Sequence, residues 1–240
     1  MRLDLYISSN FGHTRNRAQF LIKEGLVTVD SRIEKKPSYE IKEWTNIKIK
    51  EDPRVAYVSR SAIKLQSFLD EIELNLSNKK CLDVWSSTWW FTQVLLINWA
   101  KEVISVDVWT DQLNPILRND KRVISFENTD IRDFSKKYKK RDLDTISVDV
   151  SFISLSKIID SIFELWKEGT EYLILFKPQF EVWNKNLKKT GLPINQKVIT
   201  EAIDRFKLLC KEKGLKIKKI SLSSIEGEAW NKEYMIYAMK

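Results

Sequence analysis

The stretch CLDVWSSTWWFTQVLL, residues 81–96, decides the fold of this 240-residue chain. Its first four residues have the apolar character of a buried strand and include Asp83, and a polar turn then leads into a helix-like segment. A strand, a tight turn and a helix in this order form the loop that holds many nucleotide-type cofactors. Such loops normally depend on glycine, whereas this one carries Trp85, Trp89 and Trp90. The stretch therefore predicts a cofactor loop in which the largest side chain stands where the smallest is expected.

Helix-like and strand-like segments alternate from about residue 60 to the end of the chain. Such alternation predicts an α/β domain with a Rossmann-like, mostly parallel seven-stranded sheet and right-handed crossovers. Hydrophobic periodicity predicts helices at 60–73, 90–98, 154–166 and 195–213, and strands at 80–84, 102–107, 122–126, 144–149, 171–176, 215–223 and 233–238.

The first fifty residues have the pattern of a separate small unit. Thr14 can cap a helix that ends at Gly25, and two alternating strand candidates follow at 26–30 and 46–50. This segment holds ten Lys and Arg against six Asp and Glu, so half of the net charge of +8 lies in about a fifth of the chain. Such a concentration of positive charge indicates a polyanionic partner.

The basic residues of this unit have two interpretations, a phosphate-contacting face or a solvated helix face, and charge alone does not separate them. Residues 2–33, RLDLYISSNFGHTRNRAQFLIKEGLVTVDSRI, resemble the S4 RNA-binding domain, with an arginine-bearing helix followed by the GLV segment. This resemblance favours RNA binding. The residues expected to contact RNA are Arg2, Arg15, Arg17, Lys23, Arg32, Lys35 and Lys36.

Composition argues against several other classes of protein. No run approaches eighteen apolar residues, and MRLDLYISSN lacks the features of a signal peptide, so we expect a cytoplasmic protein with no membrane partner. Cys81 and Cys210 form no metal or redox spacing, so we expect buried thiols and no metal site. His13 is the single histidine and lies in the N-terminal unit, which argues against histidine-based catalysis in the second unit.

Charged residues follow several predicted strands at the point where each strand ends. One aspartate in such a place is more often a cap or turn former, but a repeated set at one sheet edge indicates a ligand site. The set is Asp83, Asp107, Asp149 and Lys177, with Asp130 just past the third strand. Asp107 stands where an acidic residue accepts hydrogen bonds from both hydroxyls of a cofactor ribose.

The spacing of the turn separates two cofactor classes. With glycine at the three tryptophan positions, the turn has the pattern Gly-x-x-x-Gly-Gly rather than the Gly-x-Gly-x-x-Gly of dinucleotide sites. This pattern resembles the first motif of S-adenosylmethionine-dependent methyltransferases. A nicotinamide oxidoreductase is therefore the weaker alternative.

Five further segments extend a family resemblance over the whole chain. They are SRSAIKLQSFLD (59–70), SVDVWTDQL (105–113), VDVSFISL (148–155), FKPQFEVW (176–183) and GEAWNKEY (227–234). With the S4-like segment in front, the chain resembles the hemolysin A-like (TlyA) ribosomal RNA 2′-O-methyltransferases, which carry an FtsJ-type catalytic domain. The resemblance implies an S4-like domain at 1–52 and an FtsJ-like domain at 58–240. Membrane lysis, suggested only by the family name, has no supporting apolar stretch.

The resemblance also implies a reaction, a cofactor and a set of site residues. The reaction is 2′-O-methylation of a ribose, in cytidine, within ribosomal RNA or ribosomal subunits, and the cofactor is S-adenosylmethionine. The Lys-Asp-Lys-Glu set of FtsJ-like enzymes matches Lys64, Asp149, Lys177 and Glu233, with Lys177 as the base and the alignment of the reactants as the main source of catalysis. The implied cofactor-binding residues are Asp83, Trp85, Ser86, Ser87, Trp89, Trp90, Phe91, Asp107, Val108 and Asp130.

The tryptophans raise a separate question. The chain has nine Trp and six Gly, although glycine makes up about 7% of ordinary protein sequences. One hypothesis is that UGA codons, translated here as tryptophan, are decoded as glycine, and the other is a genuine non-catalytic RNA-binding protein with a blocked cofactor pocket. Only Trp166 lacks a glycine counterpart in the family. The positions where glycine is typical are Trp85, Trp89, Trp90, Trp99, Trp109, Trp183 and Trp230, together with Trp44 in a turn.

Overall fold

The computed structural model describes residues 1–11, 13, 15–23, 25–42, 44–50, 60–84, 90–110, 115–225, 227 and 231–240. The chain divides into two compact units, Met1–Arg60 and Ser61–Lys240. The boundary predicted between 52 and 58 falls within residues 51–59, which lie outside the described ranges.

The first unit consists of two helices and a small antiparallel sheet. It contains α1 (Leu3–Asn10), α2 (Arg15–Lys23), β1 (Val27–Val29), β2 (Arg32–Ile33) and β3 (Ile47–Ile49), with strand order β2-β1-β3. The predicted α2, β1 and β3 are confirmed. The sequence did not predict α1 or β2, because the N-cap residue Arg2 makes no capping hydrogen bond and β2 has only two residues. The core is formed by Leu3, Ile7, Ala18, Leu21, Ile22, Leu26, Val27, Val29 and Ile41.

The second unit alternates helices and strands. Its helices are α3 (Arg60–Ile72), α4 (Trp90–Ile97), α5 (Pro115–Arg118), α6 (Ile131–Lys137), α7 (Ile159–Phe163), α8 (Pro178–Glu181) and α9 (Gln196–Glu212). Its strands are β4 (Lys80–Val84), β5 (Glu102–Val106), β6 (Val123–Phe126), β7 (Thr145–Val148), β8 (Glu171–Phe176), β9 (Lys216–Leu222) and β10 (Tyr234–Met239). The predicted strands are confirmed to within a few residues. The helix predicted at 154–166 is instead a 3-10 turn, Leu155–Lys157, followed by the short α7.

One sheet holds all seven strands of this unit, in the order β6-β5-β4-β7-β8-β10-β9. Strands β4 to β8 pair with one another in parallel, and β10 is antiparallel to both β8 and β9. The predicted mostly parallel seven-stranded sheet is therefore confirmed. Because the chain proceeds from β4 toward β6 on one side and from β7 toward β8 on the other, the strand order reverses between β4 and β7. Ligands of open α/β sheets bind at the carboxyl edge near such a reversal.

The central strands are buried on both faces, which explains their unbroken apolar runs. Strand β8, EYLILF, is buried from its second residue to its last, and all four residues of β7 are buried. Both strands belong to one core that includes residues of α9 and β10. In the described part of the chain, no helix combines the length and the apolar character needed to cross a bilayer.

Candidate active site

The carboxyl ends of β7 and β8 meet the start of β10 at one edge of the sheet. Phe176, the last residue of β8, pairs with Tyr234, the first residue of β10. Lys177 and Glu233 directly adjoin this pair, and Asp149 directly follows β7. The fold therefore collects three of the four residues of the implied catalytic set at one edge.

Lys177 is held between two side chains of the loop that follows β7. Its Nζ lies 2.6 Å from Asp149 Oδ1 and donates a hydrogen bond of 2.7 Å to Ser151 Oγ. The Asp149 contact is an ion pair, and Oδ1 accepts no hydrogen bond from the described residues. The two paired side chains are 12% and 13% exposed, which leaves a small opening for a ligand. Pro178 fixes Lys177 at this position, because proline favours the first position of a helix such as α8.

Lys64 of α3 and Glu233 form a buried ion pair. The Nζ to Oε2 distance is 2.5 Å, and each side chain is 5% exposed. Gly227 lies directly against this pair. A Cβ at position 227 would be only 2.3 Å from Glu233 Oε1. The backbone N–H of Gly227 donates to the Asn231 carbonyl at 2.8 Å. A side chain at 227 would therefore displace the carboxylate that neutralises Lys64.

Each lysine of this site has its own carboxylate, as burial of a charge requires. The opposite charges are balanced before any ligand enters. A lysine in such a place can donate a hydrogen bond to a substrate oxygen or, when neutral, accept its proton. Of the two, Lys177 is the more accessible, and its contact with substrate stays a prediction.

Asp83 is buried at the end of β4, next to the predicted cofactor loop. Its carboxylate accepts hydrogen bonds from Thr92 Oγ1 at 2.7 Å and Ser147 Oγ at 2.9 Å, and Thr92 Oγ1 lies 3.2 Å from Ser105 Oγ. Burial raises the pKa of Asp83 to about 7 against the opposing effect of the hydroxyl hydrogen bonds, and the charge of Asp149 adds to the rise. Asp83 thus ties β4 to β7 and α4, and its contact with a cofactor stays a prediction.

Asp107, which directly follows β5, offers a free acceptor. Its Oδ1 accepts a hydrogen bond of 2.8 Å from the Trp109 backbone N–H, whereas the buried Oδ2 has no hydrogen-bond partner among the described residues. Burial raises the pKa of this carboxyl. A buried acceptor without a partner calls for a donor from a ligand. A ribose hydroxyl of S-adenosylmethionine fits this requirement.

The other residues predicted to bind the cofactor lie in different settings. Phe91 is buried in α4, Trp90 is half-buried at the start of the same helix, and Val108 is half-buried. Asp130 caps α6, accepting from the Arg132 backbone N–H at 2.8 Å and pairing with its guanidinium at 2.6 Å. The capping alternative is therefore the one seen, and an adenine contact stays a prediction. The residues outside the described ranges are Trp85, Ser86, Ser87 and Trp89.

In the first unit, one buried carboxylate holds two of the predicted RNA-binding arginines. Asp4 accepts two hydrogen bonds of 3.0 Å from Arg2, one of 3.3 Å from Arg15 Nε and one of 2.8 Å from Gln19. The Arg2 and Arg15 side chains are 41% and 53% exposed, while that of Asp4 is fully covered. Two cations against one anion leave an excess positive charge in contact with water.

The remaining predicted RNA-binding residues lie on α2, on β2 and in the segment that follows β2, or at the end of α2. Arg17 lies on α2, and its side chain is outside the described set. The others are exposed, and they are Lys23, Arg32, Lys35 and Lys36. Contact with RNA stays a prediction for all seven residues.

Several residues that shape the site gave no usable signal in the sequence. Thr92, Ser147 and Ser151 are of types that also occur throughout loops and sheets, and only the fold shows which carboxylate or amine they meet. Gly227 did carry a signal, because it is one of only six glycines and lies six residues before Glu233.

Two protein families match this chain. Residues 57–240 match the FtsJ-like methyltransferase family, and residues 1–44 match the S4 domain. The chain belongs to the FtsJ-like methyltransferase family. It is thus an enzyme of the S-adenosylmethionine-dependent methyltransferase class with an S4 domain in front, as the family resemblance predicted.

Several relatives match this chain over nearly its whole length. The FtsJ-like chain is 36% identical to the 23S rRNA (cytidine-2′-O)-methyltransferase TlyA of Campylobacter jejuni, with 100% of both chains covered. It is 34% identical to Hemolysin A of Brachyspira hyodysenteriae, with 99% of both covered. A solved structure from Streptococcus thermophilus that carries the hemolysin name is 30% identical, with a TM-score of 0.75 over 100% of this chain and 88% of that one.

Proposed function

We propose that this chain transfers the methyl group of S-adenosylmethionine to the 2′-hydroxyl of a cytidine ribose in ribosomal RNA. The main observation that supports this proposal is a pair of ion pairs, Lys177 with Asp149 and Lys64 with Glu233, at one edge of an FtsJ-like sheet. The similarity to a 23S rRNA (cytidine-2′-O)-methyltransferase supports the ribose of cytidine as the acceptor.

Lys177 acts directly on the acceptor. A ribose hydroxyl is a poor nucleophile until its oxygen is aligned and its proton removed. Ser151 and Asp149 hold Nζ of Lys177 at 2.7 Å and 2.6 Å, which fixes its direction. Lys177 first loses its own ammonium proton to water. Its neutral amine then takes the proton of the 2′-hydroxyl, and Asp149 compensates the positive charge that results.

Lys64 and Glu233 are positioning residues. Their pair joins α3 to the start of β10, immediately beside Lys177. Because both groups are buried and paired, they hold this corner of the site without competing for the substrate proton. Loss of either partner leaves an unpaired charge in the interior.

Asp107 would hold the ribose of the cofactor through its free Oδ2. When bound, S-adenosylmethionine supplies an electrophilic methyl group on a sulfonium. Asp83 stays behind the loop, where its hydrogen bonds to Thr92 and Ser147 keep β4, β7 and α4 in register. The first unit contributes RNA affinity through the excess charge of Arg2 and Arg15 around Asp4.

The test is transfer of labelled methyl groups to purified ribosomal RNA and to isolated ribosomal subunits, followed by digestion and mass spectrometry of the nucleosides. Two chains are compared, one as printed and one with glycine at the eight positions typical of glycine in the family. We expect 2′-O-methylcytidine from the glycine-containing chain. The same chain carrying Lys177→Ala is the matched control. Cofactor binding without transfer to ribosomal RNA, or a methyl group on a base, contradicts the proposal.

The tryptophans in the cofactor loop favour a second candidate, an RNA-binding protein that has lost methyl transfer. Indole rings at 85, 89 and 90 leave less room for a ligand than glycine does. If tryptophan is genuine at these positions, the printed chain binds RNA with the affinity of the glycine-containing chain but does not bind S-adenosylmethionine. Isothermal titration with the cofactor separates the two candidates.

A further inference from the structure

Three helices of this chain end in the same hydrogen-bonded motif, in which the last residue is Gly25, Gly214 or Trp99. In each motif that residue donates its N–H to the carbonyl three residues earlier, and the next residue donates to the carbonyl five residues earlier. The φ angles are +69° for Gly25 and +72° for Gly214, and +64° for Trp99. This is the Schellman ending, whose left-handed residue is usually glycine.

A side chain is possible at this position, since Glu73 at the end of α3 has a φ of +51°. Phe152 also has a positive φ, of +65°, although such a backbone is unusual for a bulky residue. Trp99 differs in that it shares both hydrogen bonds of the Gly25 and Gly214 motifs. Trp99 also gains nothing by packing, because it is 75% exposed. The backbone at residue 99 is therefore one that glycine favours and tryptophan does not.

Side-chain exposure provides an independent observation. Trp44 is 83% exposed, Trp183 is 74% exposed and Trp109 is 61% exposed. Tryptophan is highly buried on average, because its large ring stabilises a protein mainly when its apolar surface is removed from water. Trp166 behaves in the normal way: it packs against the core and lies under the Lys240 ammonium, with 4.8 Å between Nζ and the ring centroid.

The exposed and the packed tryptophans correspond to the two groups that the sequence analysis distinguishes. The one tryptophan without a glycine counterpart packs as tryptophan does, and four of those with such a counterpart stand in water. Surface mutation to tryptophan at random would not select glycine positions. A change in the meaning of one codon would select them all, because UGG and UGA would then encode different residues.

We propose that eight of the nine residues printed as tryptophan are glycine in the natural protein, because its gene is decoded with UGA as glycine. Trp166 remains tryptophan. The consequence for the FtsJ-like domain is a cofactor turn with the pattern Gly-x-x-x-Gly-Gly. The eight positions are 44, 85, 89, 90, 99, 109, 183 and 230.

The deciding test is the genomic codon at each of the nine positions, followed by peptide mass spectrometry of the protein from its native cells. We expect UGA at the eight positions and UGG at 166, and native peptides whose masses fit glycine at 99, 109 and 183. A UGG codon at any of the eight, or a native peptide with tryptophan there, overturns the proposal. Neither measurement depends on methyltransferase activity, so failure of the proposed function leaves this result intact.

A matched pair of variants tests the structural argument separately. In the chain made with tryptophan at all nine positions, Trp99→Gly should raise the urea midpoint of unfolding, since it relieves the left-handed backbone. Trp166→Gly should lower the midpoint, since it removes a packed ring and its contact with Lys240. A lower midpoint for Trp99→Gly, or an unchanged one for Trp166→Gly, overturns the distinction on which the proposal rests.

Discussion

Two buried carboxylates, Asp4 in the first unit and Asp83 in the second, are perturbed in opposite directions. Burial alone raises the pKa of Asp4, but hydrogen bonds from Arg2, Gln19 and Arg15 outweigh it and hold the pKa far below its ordinary value. Burial also raises the pKa of Asp83, and there the partners are neutral hydroxyls, so the pKa stays near 7. Burial is common to both sites, and the charge of the partners decides the direction.

This difference reflects what each unit does with charge. In the first unit the carboxylate of Asp4 binds both Arg2 and Arg15, so an excess positive charge is exposed to water. Such a surface suits contact with phosphate groups. The candidate site of the second unit pairs Lys64 and Lys177 with one carboxylate each and largely covers them, which suits a site where a proton must be transferred. Five predictions test whether the two units use charge in these different ways.

The largest effect is expected for Lys177→Ala, which removes the paired but accessible amine of the second unit. General acid or base groups contribute about 10²–10⁴-fold, so methyl transfer by the glycine-containing chain should fall by that factor while RNA affinity stays near normal. Single-turnover methylation and filter binding measure the two quantities. Lys207→Ala, which removes a half-exposed lysine paired with Asp204, is the matched control. Unchanged turnover in Lys177→Ala would remove the proposed base.

Glu233→Gln should destabilise the second unit, because Lys64 is then left buried without its counter-charge. Removal of one partner of a buried pair costs about 3–5 kcal/mol, and urea unfolding measures it. The double variant Lys64→Met with Glu233→Leu should recover most of the stability but none of the methylation. A single variant as stable as the parent would show that the pair is not desolvated in solution.

Asp83→Asn should change the pH dependence of stability in one direction. The pKa of Asp83 is about 7 in the folded chain and 3.8 in the unfolded chain. As the pH rises, the unfolded chain therefore releases its proton first, and the stability falls between these two values. The asparagine variant lacks this fall and should gain on the parent by up to about 1.4 kcal/mol per pH unit in that window. Urea titrations at pH 5 and pH 8 test this, and parallel curves for both proteins would contradict it.

Asp4→Asn should show the opposite dependence. The folded pKa lies below the unfolded value of 3.8, so the carboxylate contributes its full stability above pH 3.8. The contribution is lost progressively as the pH falls from 3.8 through the folded pKa. The variant should therefore be less stable at pH 7, and the deficit should shrink toward pH 3. Amide hydrogen exchange in α1 and α2 reports on this unit alone. A deficit that is independent of pH would mean that shape, rather than charge, holds the arginines.

The smallest effect is expected for Arg15→Ala combined with Arg17→Ala. Each lost phosphate contact should reduce the slope of log affinity against log salt by about 1 and weaken binding to all RNA sequences alike. Filter binding at several salt concentrations measures the slope, with Lys207→Ala again as control. An unaltered slope would count against the first unit as the RNA-binding surface.

Sequence reasoning succeeded where local pattern decides structure. Apolar runs such as YLILF in β8 predicted the strands, and a residue directly after a parallel strand must stand at the carboxyl edge, which placed Lys177 and Asp149. It failed for α1 and β2, whose stability comes from packing rather than from local signals. It also left Asp130 between two roles, and the structure shows it as the cap of α6.

The sequence by itself determined the succession of helices and strands along the chain, the excess charge of the first fifty residues and the family resemblance. These depend only on the order of residues along the chain. Only the tertiary structure decided that Lys64 meets Glu233 across 169 residues and that Asp83 meets hydroxyls whereas Asp4 meets arginines. The physical reason is that a charge buried far from water takes its state from whatever groups folding brings against it, and those groups lie at distances in the chain that no local pattern records.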